Sequence, residues 1–438
     1  MVVSPRSYKR RASTPVISPS LYNSTSGPNE ERYLLAEQLS VHSYFMPCTF
    51  QITGIVDAVR LEAALQLMND RHDALRTGFR LDQSGQWFKY VVPYTKARLD
   101  IFEIPGADIA QLKLRIHEHF FRKPDFSPES LHGAVLIRRS KLDWVFSFSQ
   151  HHCISDARSM MIFSRELFAL YQGCELSSCP PGYSASLNQQ WRSGQNYERS
   201  LQFFSKRVSD LGTIAHIVDD RANEAASDAI PSVSILLENE LVEAATSAAN
   251  GAGVTLFTFF YAAVIVLLAR ATGVATVLTA FQSHGRRNCV DSTECFGPFS
   301  NALVVASCLD GAMTMRELLT SVRNDIRSAL LHESVPYHHV IRATGIRPLF
   351  GINWYPTMPD LRVPGLVLSE VDISDRQSDY DLNFRFVQRA KNLELIIYYR
   401  SNGISGDRVQ SYAHSLALLS QVLAQDLDAK ISASASCD

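Results

Sequence analysis

Alternating apolar and small polar residues at 144–149 (WVFSFS) predict a strand with one buried face. Further along, apolar residues recur at helical spacing over 160–171, which predicts a helix. The paired histidines of the intervening run 151–156 (HHCISD) are therefore predicted to lie in a strand-to-helix turn, with Ser155 or Asp156 capping the helix. Such a turn holds side chains on a rigid scaffold, where catalytic groups are usefully placed.

The same two periodicities recur along the rest of the chain and predict a mixed α/β protein. Helical spacing predicts helices at 30–39, 56–69, 109–121, 197–211, 240–251, 254–269, 315–331 and 407–425. Strand patterns cover 48–53, 87–93, 134–138, 232–237, 275–281, 350–355, 382–387 and 393–400, and 296–305 begins as a turn and continues as a strand. The elements do not repeat as βαβ units, and no GxGxxG or GxxxxGK[ST] phosphate loop is found.

Length and composition favour two lobes. A chain of 438 residues can bury two separate cores, and the Pro/Ser/Gly-rich stretch 174–196 is interpreted as the crossing between them. We divide the chain into a flexible tail (1–28), an N-terminal lobe (29–180) that carries the histidine motif, and a C-terminal lobe (181–438). The tail is basic and rich in Ser and Pro. It is interpreted as a disordered lead-in, with a docking tail or an organelle-targeting peptide as the alternatives.

Charge, hydropathy and cysteine content narrow the class of protein. The net charge of −2 gives no general reason to bind nucleic acid or an anionic membrane. The most apolar run, 254–269, is shorter than the roughly 20 residues that cross a bilayer, so it is interpreted as a buried helix. The eight cysteines form no CxxC pair, which suits a reducing cytosol. We expect a cytoplasmic monomer that binds neither nucleic acid nor membrane.

Six segments, in order over roughly 30–425, resemble motifs of the condensation domains of nonribosomal peptide synthetases, in the chloramphenicol-acetyltransferase-like superfamily. HHCISDA (151–157) resembles HHxxxDG, RHDALRTGF (71–79) resembles RHExLRTxF, and SHGRR (283–287) resembles the family's GR element. FGPFSNALVV (296–305) resembles GxFvNtxxlr, LHESVPYHHVI (331–341) resembles HxxxPfexlv, and YRSNGISGDRV (399–409) resembles YxtdlFdxxxi. The stretch 30–33 is a poor copy of the family's opening SxAQxRmW.

The resemblance implies a fold and a reaction. The fold is α/β, with lobes built as α+β two-layer sandwiches: two chloramphenicol-acetyltransferase-like lobes form a V with a central substrate tunnel. The reaction joins a carrier-protein-bound acyl or peptidyl thioester to an amine or an alcohol, which makes an amide or an ester. The donor is carried on the 4′-phosphopantetheine arm of a separate carrier protein, or on CoA, with no cofactor bound covalently to this chain. The acceptor is a free small molecule or a second carrier-bound group.

The resemblance also assigns roles within the histidine motif. His152 acts as general base or orients the acceptor, because the unperturbed pKa of histidine lies near working pH. His151 shapes the turn, and Asp156 forms a structural ion pair with Arg286. The backbone N–H near Ala157 is a candidate donor to the developing oxyanion.

Two residues depart from the family pattern. Ala157 replaces the usual glycine, so either the turn is slightly reshaped or its backbone never needed glycine. Ser300 lies within the GxFvNt element and, with Asn301, is expected to line the tunnel. No metal site is expected, because no ligand cluster has the usual spacing.

Two other functions stay open. One is an O-acyltransferase of the polyketide-associated type, which uses an alcohol acceptor. The other is a catalytically silent module that docks carrier proteins or a tailoring enzyme. Silent members usually lose a motif histidine, and both histidines are present here.

Overall fold

The structure of the protein is a computed structural model. It describes residues 24–39, 44–178, 183, 194–209, 211–217, 230–287, 294–355, 361–371, 380–389 and 392–431. Most of the predicted tail, and most of the predicted crossing at 174–196, lie outside these ranges.

The N-terminal part of the chain alternates irregularly between strands and helices. Its elements are β1 (Ser24–Thr25), α1 (Pro28–Leu39), β2 (Phe45–Gly54), α2 (Ala58–Arg71), β3 (Thr77–Leu81), β4 (Trp87–Val91), β5 (Leu99–Glu103), α3 (Ile109–Phe120), β6 (His132–Arg138), β7 (Asp143–His151) and α4 (Ala157–Tyr171). Side-chain caps fix where the helices begin: Asp57 accepts from the Arg60 N–H at α2, and Asp108 forms a capping box with Gln111 at α3.

The C-terminal part has longer helices and one large sheet. Its elements are α5 (Gly194–Ser209), β8 (Ser232–Leu237), α6 (Asn239–Gly251), α7 (Leu256–Thr272), β9 (Thr276–Ser283), β10 (Asn301–Cys308), α8 (Met315–Leu331), α9 (Tyr337–Thr344), β11 (Phe350–Tyr355), β12 (Leu366–Glu370), β13 (Leu382–Gln388), β14 (Leu393–Tyr399) and α10 (Gly406–Gln425). Thr255 caps α7, and Gly273 ends that helix in the left-handed conformation.

Among the described residues the strands form three open sheets. The C-terminal sheet has the order β10-β9-β11-β13-β14-β8, and the N-terminal sheet has the order β12-β2-β7-β6-β5. A small third sheet joins β1, β4 and β3. The edge strand β12 comes from the C-terminal part of the chain, but it pairs antiparallel with β2, with Leu366 opposite Gly54. The two parts are therefore joined by main-chain hydrogen bonds as well as by side chains.

Each large sheet packs against its own hydrophobic core. The C-terminal core surrounds α7, whose residues from Phe259 to Ala269 are all buried. The N-terminal core packs α2 and α4 on the sheet, and it also takes in Phe296 and Val363 from the C-terminal part. Phe296 lies 4.8 Å from the ring of His72, centroid to centroid. The cores are separate, but side chains from beyond residue 290 complete the N-terminal one.

The apolar run at 254–269 lies mostly within α7, as the sequence predicted. Within the described ranges, no single helix is long and apolar enough to cross a membrane. Only together do α6 and α7 have the length and apolar composition of a membrane span, and they are bent by 103° relative to each other.

The predicted α/β fold class is confirmed, and most predicted elements are found within one to three residues of their predicted bounds. The sequence patterns did not predict β1, which lies in the segment expected to be a flexible tail, or β3, β5, β12 and α9. These five elements are only two to eight residues long, so their periodicity is too brief to distinguish from a loop.

Candidate active site

The histidine motif lies at the predicted strand-to-helix turn. β7 ends at His151, whose N–H donates to the Leu131 carbonyl at 2.8 Å, and the N–H of His152 donates to the Tyr44 carbonyl at 2.9 Å. α4 begins at Ala157, where Asp156 caps the helix by accepting from the Ser159 N–H at 2.8 Å. The turn is therefore tied to neighbouring chain segments on one side and to its own helix on the other.

Ala157 needs no glycine-like backbone. Among the described non-glycine residues only Phe126 has a positive φ, so the first residue of α4 has an ordinary helical conformation. The strain that an alanine would carry at positive φ does not arise here.

His152 is half-buried beneath an aromatic ring. Its imidazole stacks on Tyr33 of α1, with centroids 4.4 Å apart and an interplanar angle of 6°. Its Nδ1 is buried without a hydrogen-bond partner among the described residues. Burial, then His151 and Arg32, lower the pKa of His152 to about 4, against the opposing effect of Asp156. The ring is neutral at pH 7 and can accept or share a proton.

His151 is fully buried and held on both ring nitrogens. Its Nε2 lies 3.0 Å from a carboxylate oxygen of Glu37, and its Nδ1 lies 3.1 Å from the Cys153 N–H, which donates to it. Glu37 also accepts from the Tyr44 N–H at 2.9 Å. A neutral ring protonated on Nε2 satisfies both contacts. Burial raises the pKa of the Cys153 thiol, so this cysteine is a poor nucleophile.

Asp156 and Arg286 meet between the two parts of the chain. The guanidinium donates to both carboxylate oxygens at 2.7 and 2.9 Å, and each side chain is only 1% exposed. The N–H groups of Phe299 and Ser300 donate to the same carboxylate at 3.0 Å. Burial alone would raise the pKa of Asp156, but Arg286 and the hydrogen bonds from Ser159 outweigh it and lower the pKa. The pair fixes the turn to the segment that precedes β10.

Ser300 and Asn301 lie beside this pair but differ in their surroundings. Ser300 is half-buried, and its N–H reaches Asp156. Asn301 is buried, and its amide donates to the carbonyls of Glu333 and Val335 and accepts from the Tyr337 N–H. The amide of Asn301 is thus used to join β10 to α9. A lining role in a tunnel stays a prediction for both residues.

Comparison with known proteins identifies the family. A family model described as "Condensation domain" matches residues 28–435. The chain belongs to the condensation domain family. It is 26% identical over 392 residues to malpinin synthetase of Mortierella alpina, and the aligned region covers 85% of this chain and 5% of that protein. It is 24% identical over 415 residues to bacitracin synthase 1 of Bacillus licheniformis, and the aligned region covers 91% of this chain and 8% of that protein. The chain therefore spans less than a tenth of the length of these curated relatives.

Solved structures agree on the fold. The condensation domain from the Monacolin K polyketide synthase MokA superposes with a TM-score of 0.81 and 18% identity, covering 94% of this chain and 99% of that one. The X-domain, in its complex with OxyB from teicoplanin biosynthesis, gives a TM-score of 0.78 and 20% identity, covering 94% and 97%.

In this condensation domain the segment RHDALRTGF supports the helix that follows the histidine motif. His72 and Arg71 both contact Glu166 of α4, at 2.8 and 3.0 Å. Arg76 donates to the main-chain carbonyls of Asn69 and Val92, which ties α2 to the end of β4. These contacts hold α2 against α4, so the motif acts on the turn through packing.

Several residues of the site were missed by the sequence reading. Glu37, Tyr33 and Arg32 all lie on α1, and only Arg32 and Tyr33 fall in the stretch 30–33 that poorly resembles the family's opening motif. Arg32 also lies over the ring of Tyr337, 5.1 Å from its centroid, next to His338 at the start of α9. The helical period of α1 indicated a helix, but nothing local indicated that its two faces contact both parts of the chain. No group of three or more His, Cys, Asp or Glu residues in the described ranges is placed to hold a metal ion.

Proposed function

We propose that this chain is a condensation-type acyltransferase that transfers an acyl or peptidyl group from a carrier-bound thioester to an amine, forming an amide in nonribosomal peptide biosynthesis. The observation that carries the proposal is the position of His152. It is neutral, held by a main-chain hydrogen bond to Tyr44 in the turn that precedes α4, and stacked on Tyr33. The family to which the chain belongs supports the class of reaction.

The proposed reaction needs no covalent intermediate on the protein. The acceptor nitrogen attacks the thioester carbonyl carbon, the new C–N bond forms, and the C–S bond breaks. The proton lost by the amine is passed to the departing thiolate. We assign two roles to His152: it orients the acceptor through a direct contact, and it relays this proton. Its lowered pKa supports orientation of the acceptor over complete removal of its proton before attack.

The developing negative charge on the carbonyl oxygen needs donors near the turn. α4 begins at Ala157, and the first N–H groups of a helix carry partial positive charge. Asp156 already occupies the N–H groups of Ser159 and Met160. We therefore assign the oxyanion contact to the backbone N–H near Ala157, as a proposal.

The donor in this proposal arrives on a partner. A phosphopantetheine arm of a carrier protein, or CoA, presents the thioester, and the chain acts as a monomer with no resident cofactor. The free thiols of Cys48, Cys153, Cys174, Cys295 and Cys308 support a cytoplasmic setting.

The test is product formation. Purified protein is incubated with an acyl-loaded carrier protein, or with acyl-CoA, and with a panel of amines and alcohols, and products are identified by mass spectrometry. Amide products at a rate above the background without protein support the proposal. Ester products alone would assign the chain to the O-acyltransferase alternative.

The silent docking module is the second candidate. Its support is the likeness to the X-domain, which was solved in a complex with OxyB. If no amine or alcohol gives product while the carrier protein still binds the chain in a pull-down, docking replaces catalysis as the function.

A further inference from the structure

Arg385 is a buried arginine in the middle of β13. It is 9% exposed, and its guanidinium carbon lies 4.4 Å from the ring centroid of Tyr398 and 5.4 Å from that of Tyr355. Its Nε is buried without a hydrogen-bond partner among the residues that the structure describes. Within these ranges the guanidinium makes cation–π contacts with the two rings and no hydrogen bond or ion pair. Its charge is thus buried with no anion from the described part of the chain beside it.

Two other buried arginines show how this protein satisfies a guanidinium. Arg286 donates to both carboxylate oxygens of Asp156, and Arg76 donates to two main-chain carbonyls. An arginine stays protonated in proteins, so its burial without acceptors is costly, and contact with aromatic rings offsets only part of that cost. Arg385 has the burial of these residues without their acceptors. This difference indicates that the anion beside Arg385 comes from a ligand.

The side chain of Arg385 points away from the core of the C-terminal part. Its neighbours Phe384 and Phe386 are fully buried in the core around α7, and successive side chains of a strand point to opposite faces. Tyr355 belongs to β11 and Tyr398 to β14, the strands on either side of β13. The guanidinium therefore lies on the face of the sheet opposite to that core, with a ring from each neighbouring strand beside it.

The strand directions place Arg385 near the edge of the sheet that meets the N-terminal part. β9, β11 and β13 are parallel, so their last residues lie along one edge. Beyond this edge β9 is followed by Arg286, which binds Asp156, and β11 is followed by β12, which pairs with β2. Arg385 is opposite Asn353, whose side-chain oxygen accepts from the N–H of Gln282, the last residue but one of β9. Arg385 thus lies close to the contact between the two parts of the chain.

We infer that Arg385, between Tyr355 and Tyr398, binds a carboxylate carried by a substrate. A guanidinium holds a carboxylate through two parallel charge-assisted hydrogen bonds. Contact with an aromatic ring uses none of these N–H groups, so they remain for the ligand. The inference rests on the proposed function, because a substrate of that reaction supplies the carboxylate, as an acid group of the donor or of the acceptor. The carboxylate takes no part in bond making or breaking.

The charges around this site favour a carboxylate over a phosphate. The cations that follow the same two strands already face acids: Arg389 lies 2.9 Å from Glu394, and Arg400 lies 3.7 Å from Asp381. Arg385 therefore offers a single positive charge. A carboxylate neutralises that charge, whereas a phosphate monoester carries nearly two negative charges at neutral pH.

Titration with the bare group tests binding without turnover. The whole protein is labelled with ¹⁵N-arginine and titrated with acetate, with its uncharged match acetamide, and with inorganic phosphate. The signal that disappears in Arg385→Lys is the Nε–H of Arg385. Acetate is expected to shift this signal to saturation, with a dissociation constant at least about tenfold below that of acetamide, the size of one charge-assisted hydrogen bond.

Variants assign the binding to Arg385. The wild type is expected to melt at a higher temperature in acetate than in acetamide, because a ligand that binds the folded state stabilises it. Arg385→Gln and Arg385→Met lose this difference, since the charge is gone. Arg60→Gln is the control and keeps it: Arg60 also lies over a ring, 5.3 Å from the centroid of Tyr171, but it is exposed on α2. If neither Arg385 variant folds, the titration of the wild type decides alone.

Turnover then identifies the substrate that carries the carboxylate. The donor pair is the N-acetylcysteamine monothioester of adipic acid and that of adipamic acid, and the acceptor pair is β-alanine and β-alaninamide. In one pair, the ratio of kcat/KM for the acid to that for the amide is expected to be about tenfold higher in the wild type than in Arg385→Gln. The donor pair or the acceptor pair that shows this change is the source.

Three results would overturn the inference, each in a different way. An Nε–H signal that acetate leaves unmoved, or that acetamide moves as readily, removes the site. Tighter binding of phosphate than of acetate makes the bound group a phosphate. Acetate binding with unchanged acid-to-amide ratios in Arg385→Gln, for donor and acceptor alike, separates the anion from the substrate. A failure of the proposed function looks different, because the wild type then gives no product with any pair while the acetate titration is unaffected.

Discussion

The ring of Tyr33 lies parallel to the imidazole of His152, 4.4 Å away, and shields one face of it from solvent. Tyr33 is itself only 7% exposed, so the shield is part of the packed interior. Burial is the largest cause of the low pKa of His152, and Tyr33 covers one of the two faces of the imidazole. The basicity of the proposed catalytic group therefore depends on packing from α1, a helix more than a hundred residues away in sequence.

Removing the Tyr33 ring should make His152 more basic. In Tyr33→Ala, water reaches the imidazole, so its pKa is expected to rise from about 4 towards the unperturbed value near 6.5. Since the neutral ring is the active form, the acid limb of activity should move to higher pH by the same amount. Histidine-labelled NMR titration, with His152→Gln to assign the resonance, measures the shift. An unchanged titration would show that Tyr33 does not control the pKa.

Loss of the His152 side chain should lower turnover without unfolding the protein. His152→Ala is expected to reduce kcat by about 10²–10⁴, the usual range for a group that moves or orients a proton. His117→Ala is the matched control, because His117 also stacks on a ring, Phe121, at 4.7 Å, but on α3. Initial rates with one thioester donor compare the two. Equal rates in both variants would remove His152 from the mechanism.

The Asp156–Arg286 pair should contribute to stability far more than an exposed pair. Asp156→Ala leaves the Arg286 charge buried and unpaired, so we expect a loss of about 3–5 kcal/mol in the free energy of unfolding. Arg316 and Asp428 are held at 2.7 Å but are largely exposed, so Asp428→Ala is expected to change the free energy of unfolding very little. Urea midpoints measured by circular dichroism test the difference. Replacing both partners, as Asp156→Leu with Arg286→Met, should recover part of the loss.

Gly285 should tolerate no side chain, because of the main chain beside it. Its φ is +65°, and a Cβ there would lie 1.8 Å from the carbonyl oxygen of Phe299. Gly273 has nearly the same φ, +67°, with open space around it. Gly273→Ala therefore reports strain alone, whereas Gly285→Ala adds a collision with backbone and displaces Arg286. We expect Gly285→Ala to lower the melting temperature much more, and equal shifts would contradict the packing argument.

Local patterns were enough to predict most of the elements and the position of the turn. Alternation at 144–149 and helical spacing at 160–171 are properties of single segments, and β7 and α4 follow them. The family resemblance placed Arg286 opposite Asp156, and the structure brings the two side chains together. Neither kind of reasoning depends on how distant segments pack.

The features that were missed depend on packing between distant segments. The Glu37 carboxylate is hydrogen-bonded to Nε2 of His151, which lies 114 positions away in the sequence. The periodicity of a single segment does not indicate such a distant partner. Arg32 was visible only as one residue of a weak motif, and its position over the ring of Tyr337 results from the packing of α1 against the C-terminal part of the chain. β12 is short and mostly exposed, so its residues show too little alternation to predict a strand.

The pairing of β12 with β2 has a consequence for dividing this protein. A chain cut near residue 180 separates β2 from its edge strand and removes Phe296 and Val363 from the N-terminal core. The first fragment would expose an unpaired strand edge together with apolar surface, a combination that favours aggregation. Co-expression of the two fragments offers a remedy, because β12 can then insert in trans and restore the sheet. The protein is thus a natural candidate for a split reporter, in which recovery of acyl transfer signals that two fused partners have met.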